Sequence, residues 1–333
     1  MGKIHFMMKT VVYRQYGVPA ETVEVVEVET GAPGAGQVLV KDILAPINPA
    51  DLNTLEGKYP VRYPLPATPG IEGVGRVAEV GFDVTHLKPG MAVLLPHAYG
   101  TWREGGIAEA AKLVPIPEGV PYAEAAMIKV NPASAWRMLH DYVAPEPGAW
   151  VIQNAANSGV GRAVIAIAKK LGLRTVNLVR RPELIDELTA AGGDVVLLDD
   201  EKANEEIKTR TDRAKILLGL NSVGGESATR VASALANGGK LVTFGAMSRQ
   251  PLKLPTGLLI FKDIQALGFW MTRWYQKATE AELHAMLAEL FEMAKTGAFQ
   301  TPVERVYPVE EIRAAVTHAL QGSRGGKILI GKA

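Results

Sequence analysis

Two different rhythms of hydrophobic and polar residues divide the chain near its middle. From about Lys9 to Ile116, short β-branched runs such as TVVYRQYG, TVEVVEVE and GVGRVAEVG are broken by Pro and Gly. Short strands separated by turn residues are typical of compact antiparallel sheets. The first part of the sequence therefore predicts an antiparallel β-domain of the partly open barrel type.

From about Trp150 the pattern changes to alternating strands and helices. AWVIQNA predicts a buried strand, and GVGRAVIAIAKKLG predicts a helix with Val160 and Val164 on its apolar face and Gly172 at its end. Further strands are predicted at RTVNLV, DVVLL, KILLGL and KLVTF. This alternation is typical of a doubly wound α/β fold with a parallel sheet, the Rossmann arrangement.

The last part of the chain changes pattern again. Thr279 and Glu282 form a capping box before a helix that Gly297 ends, and the segments after it predict strand, helix and strand. We expect these last segments to return to the first domain. The predicted division is a barrel-like domain of residues 1–125 and 299–333, with a Rossmann domain of residues 126–298 inserted into it.

The composition is that of a folded protein of two domains, and it argues against some partners. Of the 333 residues, 47% are hydrophobic and 21% are charged, and chains longer than roughly 250 to 300 residues divide into domains. A formal net charge of +1 argues against nucleic acid or an anionic membrane as a partner. No apolar run reaches the ~18 residues of a membrane span, and the opening MGKIHFMMKT has no targeting pattern. We expect a cytoplasmic protein.

A candidate dinucleotide site lies where the strand AWVIQNA meets the helix that follows it. Gly159 and Gly161 give this turn its backbone freedom, while Ala156 and Ser158 occupy the first two glycine positions of the Gly-x-Gly-x-x-Gly pattern. The unpaired amides of a helix N-terminus bind a diphosphate at such a turn. A glycine-rich turn that serves only close packing is the alternative.

The end of the next strand favours NADPH over NADH as the cofactor. NAD enzymes place Asp or Glu there to bind the ribose hydroxyls, whereas this strand ends in Arg180 and Arg181. Guanidinium groups match a pair of phosphate oxygens. We therefore predict NADPH; the alternative is that the two arginines are ordinary surface charges.

Several motifs in the same order resemble one enzyme family. GIEGVGRVAEVG is similar to the Gly-His-Glu-x-x-Gly signature of medium-chain dehydrogenases/reductases, with Ile71 in place of the zinc-binding histidine. Further segments resemble the zinc-free enoyl-thioester reductases of the mitochondrial 2-enoyl reductase branch and their bacterial relatives. These segments are APINPADLN, GTWR, VNPASAWRML, QNAANSGVG, LNSVGG, FGAMSRQP and LLIFKDIQALGFWMTRW. This resemblance implies NADPH-dependent reduction of trans-2-enoyl thioesters, carried by coenzyme A or acyl carrier protein, to saturated acyl thioesters.

The resemblance also implies a set of functional residues. Tyr59, in Gly57-Lys58-Tyr59, corresponds to the proton donor proposed for the family; the alternative is that Tyr59 packs its loop and water delivers the proton. Trp270 is a candidate for lining the acyl channel, and equally for anchoring a subunit interface. The implied cofactor contacts are Asn131, Ser158, Gly159, Val160, Gly161, Arg180, Arg181, Phe244, Gly245, Ala246, Met247, Phe269, Trp270, Met271, Thr272 and Lys327.

The chain contains no cysteine, which bears on both the metal and the substrate. Zinc alcohol dehydrogenases hold their catalytic metal with Cys and His, and the six histidines here show no metal spacing. We expect no metal site, and hydride chemistry on electron-poor alkenes or quinones rather than on plain alcohols. A zinc-free NADPH quinone or alkenal oxidoreductase and a non-catalytic NADPH-binding protein remain the alternatives. The edge strand predicted at QALGFW suggests a homodimer.

Overall fold

The computed structural model describes residues 6–144, 146–299, 301–322 and 324–332, and it divides into two compact units. The barrel unit comprises the described residues of Met1–Lys129, Ala288–Thr296 and Thr301–Ala333, and the α/β unit those of Val130–Leu287 and Gly297–Gln300. No helix within the described ranges is long and apolar enough to cross a membrane.

The elements follow one another along the chain in two sets. The strands are β1 (Phe6–Tyr13), β2 (Val23–Thr30), β3 (Gln37–Pro46), β4 (Val74–Val80), β5 (Ala92–Leu94), β6 (Gly106–Glu109), β7 (Val114–Pro115), β8 (Trp150–Gln153), β9 (Arg174–Val179), β10 (Val195–Leu198), β11 (Ile216–Asn221), β12 (Lys240–Thr243), β13 (Gln265–Gly268), β14 (Val303–Tyr307) and β15 (Lys327–Gly331). The α-helices are α1 (Pro19–Thr22), α2 (Pro49–Leu55), α3 (Tyr122–Ala126), α4 (Asn131–Asp141), α5 (Gly159–Lys170), α6 (Leu184–Ala190), α7 (Ala203–Arg210), α8 (Gly225–Ala234), α9 (Thr256–Lys262), α10 (Met271–Lys277), α11 (Glu280–Lys295) and α12 (Ile312–Leu320).

The barrel unit contains a two-stranded sheet, β1 with β2, and a seven-stranded sheet in the order β14-β15-β3-β4-β5-β7, with β6 pairing with β3. The pairs from β15 to β7 are antiparallel, as the broken β-branched runs predict. The pair β14–β15 departs from that prediction because it is parallel. Parallel neighbours need a crossover connection, and α12, which packs on β15, provides it.

The α/β unit is built on a six-stranded sheet in the order β10-β9-β8-β11-β12-β13, in which every pair is parallel. Strands of such a sheet are covered on both faces and are therefore apolar along their length. Val176 and Leu178 accordingly lie in one core cluster, while Val179 on the opposite face lies in another. The doubly wound α/β fold predicted from the sequence is confirmed.

One helix crosses the division between the two units. The predicted capping box is present at its start, where Thr279 N donates to Glu282 Oε2 at 2.8 Å and Glu282 N donates to Thr279 Oγ1 at 3.3 Å. Residues of α11 up to Leu287 belong to the α/β unit, and those from Ala288 to the barrel unit. The predicted boundary after residue 298 differs from this point because an uninterrupted helical pattern carries no signal for a division inside it.

Candidate functional site

The predicted diphosphate turn follows β8 directly and opens α5 at the position where the order of strands reverses, between β8 and β11. Ser158 caps the helix, since its Oγ accepts from Gly161 N at 3.1 Å. A Cβ built on Gly161 would lie 2.3 Å from the carbonyl oxygen of Ala156, so the turn closes this tightly only with glycine there. The first amides of α5 therefore lie at the switch point of a doubly wound sheet, the position at which such amides are suited to bind an anion.

A buried polar network holds the sheet at the same edge. We call it the edge network; it consists of Asn154, Asp199, Asn221, Ser227 and Arg230. Asn154 Nδ2 donates to Asn221 Oδ1 and to Ser227 Oγ, each at 2.8 Å, and Ser227 Oγ donates to Asp199. Arg230 Nε donates to the other oxygen of Asp199. The network ties the ends of β8, β10 and β11 to α8, so it fixes the backbone on which the turn is built.

Four groups of the predicted cofactor residues lie at the carboxyl ends of strands of this sheet. The turn residues follow β8, Arg180 and Arg181 follow β9, Phe244–Met247 follow β12, and Phe269–Thr272 follow β13. Ligands of doubly wound proteins bind at this edge. Arg180 is exposed, whereas Arg181 lies 3.6 Å from Glu183. The sequence motifs thus converge on one edge of one sheet.

Asn131, another predicted cofactor residue, is the first residue of α4, which packs on α5. Its side chain is only 8% exposed, and its Nδ2 has no hydrogen-bond partner. A buried amide donor without a partner costs free energy unless a ligand or water accepts its hydrogen bond. This donor fits a carbonyl or hydroxyl acceptor of a bound cofactor.

Trp270 is half-buried at the start of α10, and the guanidinium of Arg273 lies 5.8 Å from the centre of its ring. The strand before it, β13, ends the sheet, as predicted from QALGFW. Phe269 N donates to Thr243 O at 2.9 Å, which fixes the segment beside β12. The position is compatible with both predicted roles, lining the acyl site or anchoring a subunit interface.

The barrel unit contains a second set of polar side chains, which we call the barrel cluster: the buried Asn48, Asp51, Glu72 and Lys129, and the half-buried Lys327. Lys327 Nζ donates to Asn48 Oδ1 at 2.6 Å, and Asn48 Nδ2 donates to Glu72 Oε1 at 2.8 Å. Asp51 accepts from Asn48 N at 2.8 Å, at the start of α2. Lys129 Nζ donates to Leu95 O at 2.7 Å. Lys327, predicted as a cofactor contact, is thus a half-buried member of the barrel cluster that holds Asn48.

Burial alters the acid–base properties of the barrel cluster. It raises the pKa of Asp51 to about 7, with the nearby carboxylate of Glu72 acting in the same direction and Lys327 opposing it. It lowers the pKa of Lys129 to about 8 and lowers the pKa of Lys327, and Glu72 opposes both changes. Two carboxyl groups and two amines therefore share a site of low polarity.

The barrel cluster lies at the GIEG motif, where the metal-dependent dehydrogenases carry a zinc-binding histidine. The residues present here do not fit that ion, since Ile71 replaces the histidine, no cysteine exists, and the ammonium of Lys327 adjoins the carboxylates. Within the described ranges no group of three or more His, Cys, Asp or Glu side chains has an arrangement that could hold a metal.

Tyr59, the predicted proton donor, lies just beyond the end of α2. The loop folds back on that helix, because the backbone N–H groups of Lys58 and Tyr59 both donate to Asn53 O, at 2.8 and 3.1 Å. Gly57 has a φ of +70°, and a Cβ there would lie 3.0 Å from Tyr16. Tyr59 is half-buried, so its side chain is within reach of solvent or a ligand.

Other aromatic and basic groups surround this loop. The guanidinium of Arg62 lies 4.6 Å from the centre of the Tyr16 ring, and the hydroxyl of Tyr16 donates to Tyr63 O at 3.3 Å. Burial raises the pKa of Tyr63, and Tyr59 adds to the increase. A small cavity beside the loop is lined by Asp51 and Tyr63 among others. The short helix α2 thus begins in the barrel cluster and ends just before the loop that carries Tyr59.

Sequence reasoning assigned no role to most of the edge network and the barrel cluster. Asn48 and Asp51 lie in APINPADLN and Glu72 lies in GIEG, two segments that carry the resemblance to the family but by themselves indicate no role for these side chains. The spacing of Asn48 and Asp51, with proline at the first helical position, is the one local signal that predicts the helix start. The partners of Asp199 had no such signal, because they lie on a distant helix.

Two family models match the chain. One, described as an alcohol dehydrogenase GroES-like domain, matches residues 34–118, and one described as a zinc-binding dehydrogenase matches residues 159–290. The first match lies in the barrel unit, and the second lies in the α/β unit except for its last three residues, 288–290. The resemblance to medium-chain dehydrogenases/reductases drawn from the motifs is confirmed.

Relatives with established names are similar over nearly the whole chain. The mitochondrial enoyl-[acyl-carrier-protein] reductase of Homo sapiens is 39% identical, covering 94% of this chain and 86% of the relative. A solved structure of the Etr1p/NADP/crotonyl-CoA complex is 27% identical, with a TM-score of 0.89 and coverage of 98% and 100%. The mitochondrial 2-enoyl thioester reductase Etr1p/Etr2p heterodimer from Candida tropicalis is 28% identical, with a TM-score of 0.89 and the same coverage.

The names of the relatives contradict the expected location. Enoyl-[acyl-carrier-protein] reductases from Homo sapiens, Caenorhabditis elegans and Arabidopsis thaliana are all named as mitochondrial proteins. The prediction of a cytoplasmic protein, which rested on the opening MGKIHFMMKT, is therefore wrong by this comparison. The first five residues of that segment lie outside the described residues.

Proposed function

Because the chain belongs to the zinc-free enoyl-thioester reductase branch of the medium-chain dehydrogenases/reductases, we propose that it reduces trans-2-enoyl thioesters to saturated acyl thioesters with NADPH. The observation that carries this proposal is 39% identity to an enoyl-[acyl-carrier-protein] reductase over 94% of the chain. Both coenzyme A and acyl carrier protein are proposed as carriers, since one relative is named for the carrier protein and another structure contains crotonyl-CoA.

The residues at the edge of the parallel sheet are proposed to hold the cofactor. The amides at the start of α5 and the cap Ser158 bind the diphosphate, and Arg180 and Arg181 bind the 2′-phosphate. The unpaired Nδ2 of Asn131 supports a further hydrogen bond to the cofactor. Phe244–Met247 and Phe269–Thr272 complete the edge, and Lys327 is proposed to reach the cofactor while it holds Asn48.

NADPH supplies the hydride that adds to the β-carbon of the substrate. Negative charge then develops on the thioester oxygen, and hydrogen-bond donors aimed at that oxygen lower the barrier most. The enolate next takes a proton at its α-carbon, which completes the addition of two hydrogens across the double bond. We assign this proton to Tyr59, since its phenol hydroxyl can donate a proton and the side chain is half-buried in a fixed loop.

Steady-state kinetics test the reaction. Purified protein is supplied with NADPH and either crotonyl-CoA, longer trans-2-enoyl-CoA esters or a quinone, and cofactor oxidation is followed by absorbance. The proposal expects turnover with the enoyl thioesters and little with the quinone. Turnover with the quinone alone would assign the chain to the quinone reductases, and tight NADPH binding without turnover of any acceptor would indicate a binding protein.

Tyr59→Phe tests the proton donor. General acid catalysis is typically worth ~10²-fold to 10⁴-fold, so kcat should fall within that range while KM for NADPH stays near the wild-type value. Tyr16→Phe is the matched control, since it removes a hydroxyl from the same group of tyrosines without removing the proposed donor. Wild-type kcat in Tyr59→Phe would leave water as the donor.

A homodimer is proposed through the edge strand β13. Gln265, Ala266 and Gly268 are exposed on this strand, and α9 just before it exposes Ile260 to 66% and Phe261 to 79%. An unpaired strand edge beside exposed apolar side chains is suited to pairing with a second copy. The Etr1p/Etr2p relative is named as a heterodimer, which supports pairing within the family.

Sedimentation of the wild type and of Ile260→Glu tests this assembly. The wild type should sediment as a dimer, and the charged side chain should shift it to the monomer. Met7→Glu, a change at another exposed apolar position in the barrel unit, should leave the dimer intact. A monomeric wild type at micromolar concentration would contradict the proposal.

A further inference from the structure

Asp199 is a buried carboxylate at the edge where the cofactor phosphate is proposed to bind. It directly follows β10, and its N–H donates to Val179 O at 2.7 Å, so it lies beside the last residue of β9. Arg180 directly follows Val179 in the sequence. Neighbouring strands of a sheet are about 4.8 Å apart, so the backbone of Asp199 lies one strand spacing from the end of the strand that the two predicted phosphate-binding arginines follow.

One cation neutralises this carboxylate. Arg230, from α8, donates its Nε to Asp199 Oδ1, and the hydroxyl of Ser227, one turn earlier on the same helix, donates to Oδ2. The Asp199 side chain is 4% exposed and that of Arg230 is 22% exposed. Water therefore screens this pair weakly, and the charge of Asp199 depends on Arg230 for its compensation.

A buried, uncompensated carboxylate beside the phosphate site would repel the additional phosphate of NADPH but not the neutral ribose of NADH. Like charges brought together at a binding interface weaken the affinity many-fold. We propose that Arg230 is a specificity-determining residue, which favours NADPH over NADH by neutralising Asp199. This inference rests on the proposed binding of the 2′-phosphate by Arg180 and Arg181.

Direct binding of two cofactor fragments tests the inference without any turnover. The affinities of 2′,5′-ADP and of 5′-ADP are measured by calorimetry at pH 8 for the wild type, Arg230→Met and Arg230→Lys. Arg230→Met should weaken 2′,5′-ADP about tenfold or more while 5′-ADP changes about twofold at most. Arg230→Lys should bind both like the wild type, because the positive charge is retained.

The double variant Arg230→Met with Asp199→Asn separates compensation from direct contact. If Arg230 acts through Asp199, removing both charges should restore 2′,5′-ADP affinity to within about threefold of the wild type. A double variant as weak as Arg230→Met would overturn the inference, as would an equal loss for both fragments, which a purely structural role would produce.

Three further variants serve as controls, one for the helix and two for the premise. Lys253→Met breaks an ion pair with Glu226 on the same helix, in which both side chains are more than 60% exposed, and it should change neither affinity. Arg180→Met and Arg181→Met test the premise. If neither weakens 2′,5′-ADP, the proposed phosphate site fails and the inference with it; if either does while Arg230→Met does not, only the role of Arg230 is overturned.

Discussion

The barrel unit and the α/β unit each bury a group of polar side chains, and the two groups are built differently. In the edge network, neutral amides and a hydroxyl share hydrogen bonds around one ion pair, Asp199 with Arg230. In the barrel cluster, Asp51 and Glu72 face Lys327 and Lys129 with a single amide, Asn48, between them. The edge network fixes the backbone at the sheet edge where the cofactor is proposed to bind. The barrel cluster holds groups of opposite charge in surroundings of low polarity.

This difference concerns the position at which the metal-dependent members of the family carry a zinc-binding histidine. Ile71 occupies that position here, and the carboxyl groups of Asp51 and Glu72 are accompanied by amines that belong to the chain. Burial shifts the pKa of Asp51 upward and those of Lys129 and Lys327 downward. The barrel cluster should therefore respond to the loss of a charge and to pH more strongly than the edge network.

Removing the ammonium of the barrel cluster should have the largest effect. Lys327→Met removes the cation that acts on Asp51 and leaves Glu72 with Lys129 alone, and breaking a buried pair of charges from one side costs up to about 3–5 kcal/mol of unfolding free energy. Denaturant titration measures the loss. Lys112→Met, which breaks an exposed pair with Glu109, should cost less than about 1 kcal/mol. Adding Asp51→Asn to Lys327→Met should recover part of the loss; no recovery would refute the pairing of charges.

The pH dependence of stability should distinguish the two regions next. Because burial raises the pKa of Asp51 to about 7, its contribution is complete below the unfolded value near 4 and is lost as pH rises to 7. The decrease is at most about 4 kcal/mol, at roughly 1.4 kcal/mol for each pH unit. Asp51→Asn should flatten the profile between pH 4 and 7, whereas Asn154→Leu should leave its slope unchanged. An unaltered slope in Asp51→Asn would contradict this account.

The Lys129 side chain gives the opposite slope at higher pH. Its pKa is lowered by burial to about 8, so its contribution is complete above the ordinary value of 10.5 and is lost as pH falls through 8. Stability should therefore rise from pH 8 to 10 in the wild type. Lys129→Met should reduce that rise in a thermal-unfolding series and leave the part that comes from Lys327, whose pKa is also lowered; a rise of unchanged size would contradict this account.

A break in the edge network should cost less than a break in the barrel cluster. Asn154→Leu deprives the buried N–H of Ser222 of its acceptor, which lies at 2.8 Å. An unpaired buried donor costs about 1–3 kcal/mol. The denaturation midpoint should fall accordingly, and 2′,5′-ADP should bind more weakly because the turn loses its support. Stability loss equal to that of Lys327→Met would erase the contrast between the two regions.

The helix cap at the diphosphate turn should show the smallest effect. Ser158→Ala removes the acceptor of Gly161 N and should cost about 1 kcal/mol. Ser158→Gly, which is tolerated at a cap, should cost only a few tenths of that, so the two variants form a matched pair in denaturant titration. An equal cost for both would indicate that the hydroxyl does not cap α5.

The parts that the sequence predicted are those that short segments encode. The glycines of the turn, Arg180 after β9 and the Thr279–Glu282 capping box each depend on neighbours within a few residues, and all lie as expected in the fold. The doubly wound fold, the enzyme family and NADPH followed from these motifs and are confirmed by the relatives. The roles of individual site residues stay predictions.

The parts that escaped prediction depend on residues that are far apart in the chain. Lys327 and Asn48, joined by a hydrogen bond, are 279 positions apart, and Arg230 and Asp199 are 31 apart. Nothing in a local pattern states that a lysine near the end of the chain will balance a carboxylate near its beginning. The parallel pairing of β14 with β15 was not predicted for the same reason. The direction of β15 is set by the crossover through α12 and not by the residues of the strand itself.

The pairing of β15 with β3 has a consequence for how the molecule is made on the ribosome. β3 is synthesised long before β15, which pairs with Leu44–Pro46 at one edge of β3, whereas β6, which pairs with Gln37–Val40, is made soon after β3. The α/β unit, whose strands all lie between Trp150 and Gly268, is complete well before β15 and can fold as the chain emerges. Until β15 is made, the hydrogen-bonding groups of Leu44–Pro46 at this edge are open, so this short part of β3 is available to another strand during synthesis.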